Sequence, residues 1–187
     1  MKRKVVAVTG GIGSGKSTVC ALLESKGYNV IYLDKLAREI ADRADTIAAV
    51  QKLLGANAVN AEGKLNRAYI RSVVFADDKL YKAYGDLFYD KVQAELERRL
   101  AEADETVFVE IPLFNAVKYD WYAVWVVRCD KDKRVERVEK RDNVDRQNVV
   151  DILARQTEPD LPHATVIRND GTEQQLAQAV SEALAAL

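Results

Sequence analysis

The sequence predicts an α/β sandwich built on a parallel sheet, and three observations carry that prediction. Short apolar runs recur at residues 5–8, 29–33, 107–111, 123–127 and 165–167 without clean in/out alternation, the pattern of strands covered on both faces. Stretches with apolar residues every third or fourth position lie between them. The first such unit reads strand, glycine cluster, helix, and strands that alternate with helices imply right-handed crossovers within one sheet.

Taken in order, Val5-Val6-Ala7-Val8 is β-branched and apolar and ends at Thr9 and a run of glycines, as a buried strand does. Residues 16–26 place Val19, Leu22 and Leu23 on one helical face and stop at Gly27. Residues 29–33 give a second strand. From 65 to 103 the rhythm breaks: no strand signal appears, and Tyr69, Phe75, Tyr81, Tyr84, Phe88 and Tyr89 make the interval aromatic-rich, so it reads as a helical insertion. Its last part, 91–103, carries Val92, Leu96 and Leu100 four apart. The closing helix carries Leu176, Val180, Leu184 and Leu187 and opens on Thr172-Glu173-Gln174-Gln175, a capping box. There is no repeat and no Pro/Gly/Ser linker, so residues 1–187 read as one domain: a core of 1–34 and 104–187 and a mostly helical insertion over 35–103.

At 187 residues the chain is long enough to bury a core of its own. Lys and Arg total 28 against 29 Asp and Glu, a net charge of −1, so no overall field draws it to nucleic acid or to an anionic membrane. No run approaches the roughly 20 apolar residues of a membrane span. Met1-Lys2-Arg3-Lys4 before the first apolar run is cut short by Thr9 and the glycines and does not make a signal peptide. Cys20 and Cys129 fall in a predicted helix and beside a predicted strand, where thiols serve as packing, and a reduced, cytoplasmic setting is expected. Nothing in the residues speaks to oligomeric state.

The chemistry concentrates in Gly10-Gly11-Ile12-Gly13-Ser14-Gly15-Lys16-Ser17, which satisfies G-x-x-x-x-G-K-[ST] between a predicted strand and a predicted helix. Glycines let the backbone turn tightly, so that N–H groups of Gly11, Ile12, Gly13, Ser14, Gly15, Lys16, Ser17 and Thr18 can face the phosphates of ATP. The helix start adds its positive dipole end. Lys16 is expected to reach the β- and γ-phosphates and the Ser17 hydroxyl to ligate Mg²⁺. This is a P-loop. The bland alternative, an ordinary glycine turn with a solvated lysine, leaves the agreement of motif and context unexplained.

No Asn-Lys-x-Asp guanine-reading segment follows, and the chain is short for a motor ATPase, which leaves the small-molecule kinases. Such an enzyme needs a group to orient or deprotonate the acceptor hydroxyl and arginines to neutralise the moving phosphoryl group. Asp34 stands at the end of the second strand, expected beside the P-loop, as a base; the competing reading is an N-cap for a helix starting at Lys35. Arg134, Arg137 and Arg141, spaced three and four apart, would share one helical face and close over the phosphates as a lid, set at about 130–160, or else form a solvated charged helix. Glu110 ends the third strand, either acting on the Mg²⁺ shell through water or pairing with an arginine. His163, the single histidine, has no Ser or Cys partner that would suggest hydrolysis.

These residues resemble a known family. Val8-Thr9-Gly10-Gly11-Ile12-Gly13-Ser14-Gly15-Lys16-Ser17-Thr18 is similar almost letter for letter to the opening of dephospho-coenzyme A kinases. The likeness continues through Asp34 with Ala37-Arg38-Glu39, Leu65-Asn66-Arg67, Ile70-Arg71, Val74-Phe75, Glu110-Ile111-Pro112-Leu113, the lid-like stretch Arg137 to Asp142 with its Arg-Asp pair, Gln156 and Asn169-Asp170-Gly171. The resemblance implies a three-layer P-loop kinase fold with a five-stranded parallel sheet, a helical acceptor-binding insertion and a lid. It implies ATP-dependent phosphorylation of the ribose 3′-hydroxyl of dephospho-CoA, the last step of CoA synthesis. By the family's pattern Asp34 is the base, Arg38 an acceptor-side contact, Arg141 a phosphate clamp, and Asn169 a contact near the adenine of ATP.

The chain departs from that pattern at Tyr32, where the family has a first aspartate, at Phe88-Tyr89 in place of His-Pro, at Asn115-Ala116 in place of an acid, and at Ile152 in place of a lid arginine. All four lie on the acceptor or lid side. Two other readings of the same residues therefore stand beside the first: a related kinase with another hydroxyl acceptor, and a non-catalytic ATP-binding module.

Overall fold

The structure, a computed structural model, describes residues 3–103, 105–112, 114, 117–143, 145–155 and 161–187. Five parallel strands form one sheet in the order β2-β3-β1-β4-β5. They are β1 (Val5–Thr9), β2 (Asn29–Tyr32), β3 (Val107–Glu110), β4 (Ala123–Arg128) and β5 (Thr165–Arg168). Helices alternate with them: α1 (Lys16–Ser25), α2 (Leu33–Ala41), α3 (Ala44–Leu54), α4 (Arg67–Val74), α5 (Asp78–Glu102), α6 (Lys131–Asp142), α7 (Arg146–Arg155) and α8 (Glu173–Ala185).

Burial follows position in the sheet. Every residue of β1 and β3 is buried, whereas the edge strands β2 and β5 bury one residue each, Ile31 and Ile167. That explains why the central runs read as continuous apolar stretches. Val6, Val8, Phe108, Trp125 and Val127 from the sheet pack with Val19, Cys20 and Leu23 of α1 and Leu176 and Val180 of α8. The Phe108 and Trp125 rings lie 5.1 Å apart at the centre. The capping box at the start of α8 is formed as its sequence predicts: Thr172 Oγ1 accepts from Gln175 N at 3.3 Å and Gln175 Oε1 from Thr172 N at 2.8 Å.

One expectation about strand order is corrected. β3, not β2, is hydrogen-bonded to β1, with Val8 opposite Glu110, so the strand that leads to Asp34 is one place removed from the P-loop strand. Sequence neighbours are not sheet neighbours here: the chain returns from the helical unit to place β3 between the first two strands.

The chain divides into two compact units, Met1–Tyr32 with Ala103–Leu187, and Leu33–Glu102. The second unit is helical and has its own core of Val50, Leu54, Ala58, Ile70 and Val74, flanked by Tyr69, Tyr84 and Phe88. Its helix α5 begins at Asp78, well before the 91–103 stretch whose fourfold spacing was legible. Val92, Leu96 and Leu100 make the buried stripe of the second half, while the first half packs Tyr84 and Phe88 on the α4 side, so no single apolar face runs the whole length. Glu95, only 6% exposed, ties this unit together by accepting from Arg98 Nη2 at 2.8 Å, Arg43 Nη2 at 2.9 Å and Arg99 Nε at 3.0 Å. Among the described residues no helix is long and apolar enough to cross a membrane.

Candidate active site

The loop from Gly10 to Gly15 joins β1, the middle strand, to α1. Gly13 (φ 74°) and Gly15 (φ 94°) take left-handed backbone conformations that a side chain would strain, and Gly15 is the N-cap of α1. Its carbonyl accepts from Thr18 N at 3.0 Å and Val19 N at 3.1 Å, so the helix starts at the motif's lysine. No acidic residue sits in the first turn of α1, so nothing there offsets the positive end of the helix.

Four carbonyls of the loop are held by side chains. Lys16 Nζ donates to Gly10 O at 2.9 Å and Gly11 O at 3.2 Å, folding its charge back over the loop. Arg134 Nε donates to Ile12 O at 2.9 Å and Asn169 Nδ2 to Ser14 O at 2.8 Å. The Ser14 hydroxyl is buried and has no hydrogen-bond partner among the described residues, an arrangement that suits a polar ligand. Ser17 and Thr18 present exposed hydroxyls at the helix start, and an exposed Ser oxygen beside a phosphate cradle is a hard ligand suited to Mg²⁺.

Around this loop the charged residues divide in ways their spacing does not reveal. Of the three arginines of α6, Arg134 is 7% exposed and turned to the loop. Arg137 donates to Asn169 O at 3.1 Å and Cys129 Sγ at 3.3 Å. Arg141 is exposed and grips Asp142 with both Nε and Nη2 at 2.7 Å, which lowers the Asp142 pKa. A helix face that looks uniform in sequence thus serves three ends. Asn169, 7% exposed, is committed to the loop carbonyl and to Arg128 O through its backbone N–H at 2.8 Å.

Glu110 is buried at the carboxyl end of β3, opposite Val8. Burial first, and then the charges of Glu110 and Glu24, push the Cys20 thiol up to about 12 against the opposing pull of Lys16, so Cys20 is inert packing. Tyr32, at one departure from the family pattern, donates its hydroxyl to Glu24 Oε2 at 2.9 Å; burial and that bond raise its pKa. The ring thus ties β2 to α1.

In the helical unit, Asp34 and Arg38 are exposed and one turn apart on α2. Asp34 is the second residue of that helix, inside its first turn and not its cap, because the helix begins at Leu33. The same unit holds a cavity of about 380 Å³ whose wall includes Arg67 and Arg71 of α4 and Phe75, Tyr81 and Tyr84. Leu113, Asn115-Ala116 and Gln156 lie outside the described residues. Ile152 is exposed on α7. The sequence reading missed Arg134 as a partner of the loop; Gly11 and Gly13, each in close approach to that arginine, are the signal that points to it.

The sequence profile of the dephospho-CoA kinase family matches residues 4–175. The chain is 33% identical to the dephospho-CoA kinase of Escherichia coli K12, over 96% of this chain and 90% of that one. It is 31% identical to that of Streptococcus pneumoniae, over 95% and 92%. A Thermus thermophilus crystal structure superposes with a TM-score of 0.82 at 29% identity, covering 100% of this chain and 99% of the other. With the P-loop, the parallel sheet and this agreement along almost the whole chain, the protein belongs to the dephospho-CoA kinase family: it is a kinase that uses ATP to phosphorylate dephospho-CoA, the last step of coenzyme A biosynthesis.

Proposed function

We propose that the reaction is transfer of the γ-phosphoryl group of ATP to the ribose 3′-hydroxyl of dephospho-CoA, with Asp34 as the base. The observation that carries the reading is the glycine loop between β1 and the start of α1, whose carbonyls at Gly10, Gly11, Ile12 and Ser14 are tied down by Lys16, Arg134 and Asn169. In this reading the amides of Gly11, Ile12, Gly13, Ser14, Gly15, Lys16, Ser17 and Thr18 hold the phosphates, and Lys16 exchanges its carbonyl partners for phosphate oxygens as ATP enters. The Ser17 hydroxyl would hold Mg²⁺, which would supply positive charge against the nucleotide's phosphates.

Asp34 follows the carboxyl end of β2 by two residues, and ligands of open parallel sheets collect beyond such strand ends. Its carboxylate accepts the proton of the attacking hydroxyl, and Arg38 one turn on binds the acceptor. Arg141 leaves Asp142 to clamp the moving phosphoryl group, an exchange made easy by the exposure of both side chains. Arg137 acts beside it, and Asn169 serves the nucleotide from beneath Ser14. The cavity in the helical unit combines two guanidinium groups with aromatic walls, a chemistry that suits the diphosphate and the largely apolar arm of dephospho-CoA. The setting is cytoplasmic.

Acceptor-dependent ADP release, measured on wild type and Asp34→Asn side by side, tests the assignment. The variant is expected to lose about 10²- to 10⁴-fold in kcat while binding Mg·ATP as wild type does. Unchanged turnover in Asp34→Asn would sink Asp34 as the base, and no ADP release with dephospho-CoA would sink the acceptor.

A further inference from the structure

The P-loop can hold a phosphate only if its N–H groups face inward, and each peptide's C=O then faces the other way, because a trans peptide is planar with the two dipoles opposed. The outward carbonyls need donors of their own. For Ile12 the donor is Arg134, which reaches in from α6, the helix that follows β4. Its Nε donates to Ile12 O at 2.9 Å, and the whole residue is 7% exposed. The peptide that carries Ile12 O also carries the N–H of Gly13, so holding the one aims the other.

The fit is close on both sides of that peptide. A Cβ on Gly11 would stand 2.7 Å from Arg134 Cζ, and one on Gly13 would stand 2.7 Å from Arg134 O and 3.0 Å from Val138 Cγ2. The Ile12 side chain packs against the buried cluster of Val135, Val138, Val149 and Leu153 on α6 and α7. A side chain on Gly13 would thus meet the backbone of α6, and one on Gly11 would push the guanidinium from its place. Gly11 does not have the positive φ of Gly10 and Gly13, so its lack of a side chain is not a matter of backbone angle, and the approach of Arg134 is one reason for it.

We propose that Arg134 is a positioning residue for the kinase reaction: it fixes the Ile12–Gly13 peptide so that the Gly13 amide is aimed at the nucleotide's phosphates, and it belongs to the loop, not to a face that closes over it. The inference rests on the P-loop reading above. It does not depend on which acceptor is phosphorylated.

The test is binding of Mg·ATP and of inorganic tripolyphosphate by calorimetry to the full-length wild type, Arg134→Met, Gly11→Ala and the double variant, with thermal melts as a check on folding. Arg134→Met keeps the length and bulk of the side chain and removes the donor; both ligands should weaken about 10-fold, with KM for dephospho-CoA within about twofold of wild type. Equal loss with tripolyphosphate and ATP marks the phosphate cradle, not the adenine site. Gly11→Ala, which sets a methyl group against the guanidinium, should cost about the same alone and little more in the Arg134→Met background, because two routes to one lost contact do not add. If Arg134→Met does not fold, Arg134→Lys carries the test: it keeps the charge, lacks the Nε–H that bonds Ile12 O, and should weaken both ligands likewise. Wild-type affinity in either single variant, or an equal cost of Gly11→Ala in both backgrounds, overturns the proposal. Failure of the wild type to bind ATP or tripolyphosphate overturns the P-loop reading along with it.

Discussion

Asn169, directly after β5, donates its side-chain Nδ2 to the carbonyl of Ser14 at 2.8 Å, joining the end of the last strand to the loop after the first. Removing that donor leaves Ser14 O without its amide partner in a buried place, a penalty of about 1–3 kcal/mol. Asn169→Ala is therefore expected to weaken Mg·ATP about 10-fold by calorimetry while the acceptor KM stays put. Unchanged ATP affinity would show that the Ser14 carbonyl does not need the bond.

Lys16 spends its charge on Gly10 O and Gly11 O. In turnover it stands for one preorganised charge donor, and Lys16→Ala should cost at least about 10²-fold in kcat. Single-turnover ADP formation at saturating ATP measures it; near-normal turnover refutes the role.

Arg67 and Arg71 line the cavity of the helical unit and have no ion-pair partner among the described residues. Replacing either by Ala should raise the KM for dephospho-CoA about 10-fold through loss of a charge-assisted contact, with Mg·ATP affinity unchanged. A rise in the Kd for ATP, with no change for the acceptor, would move the acceptor site elsewhere.

Glu95 gives a pH-dependent prediction. Hydrogen bonds from Arg98 above all, then from Arg43 and Arg99, hold its carboxyl far below the usual glutamate range. A depressed folded-state pKa stabilises the fold fully above the unfolded value, about 4.3, and that contribution is lost as pH falls below it. Glu95→Gln should therefore cost about 3 kcal/mol at pH 7 in urea unfolding, and the gap should narrow from about pH 4.3 downward. A gap that is the same at pH 7 and pH 3.5 would refute the ionised cluster.

What the sequence determined by itself is local. The glycine loop needs Gly13 and Gly15 for backbone angles, α8 needs Thr172 and Gln175 for its cap, and the buried strands need continuous apolar runs, all interactions within a few residues. These appear in the order of the letters because the physics acts over that range.

Tertiary structure alone decided the rest. Whether Arg134, Arg137 and Arg141 share one task depends on what lies opposite each, and that is Ile12, Asn169 and Asp142 respectively, two of them distant in the chain. β3 lies between β1 and β2, a pairing between segments far apart in the chain that no local pattern encodes. The first half of α5 escaped the periodicity because its buried face is made of tyrosine and phenylalanine packed with α4, not a stripe continuous with Val92, Leu96 and Leu100. A long, flexible arginine can pair in many ways, and only the packed neighbours fix which one is taken.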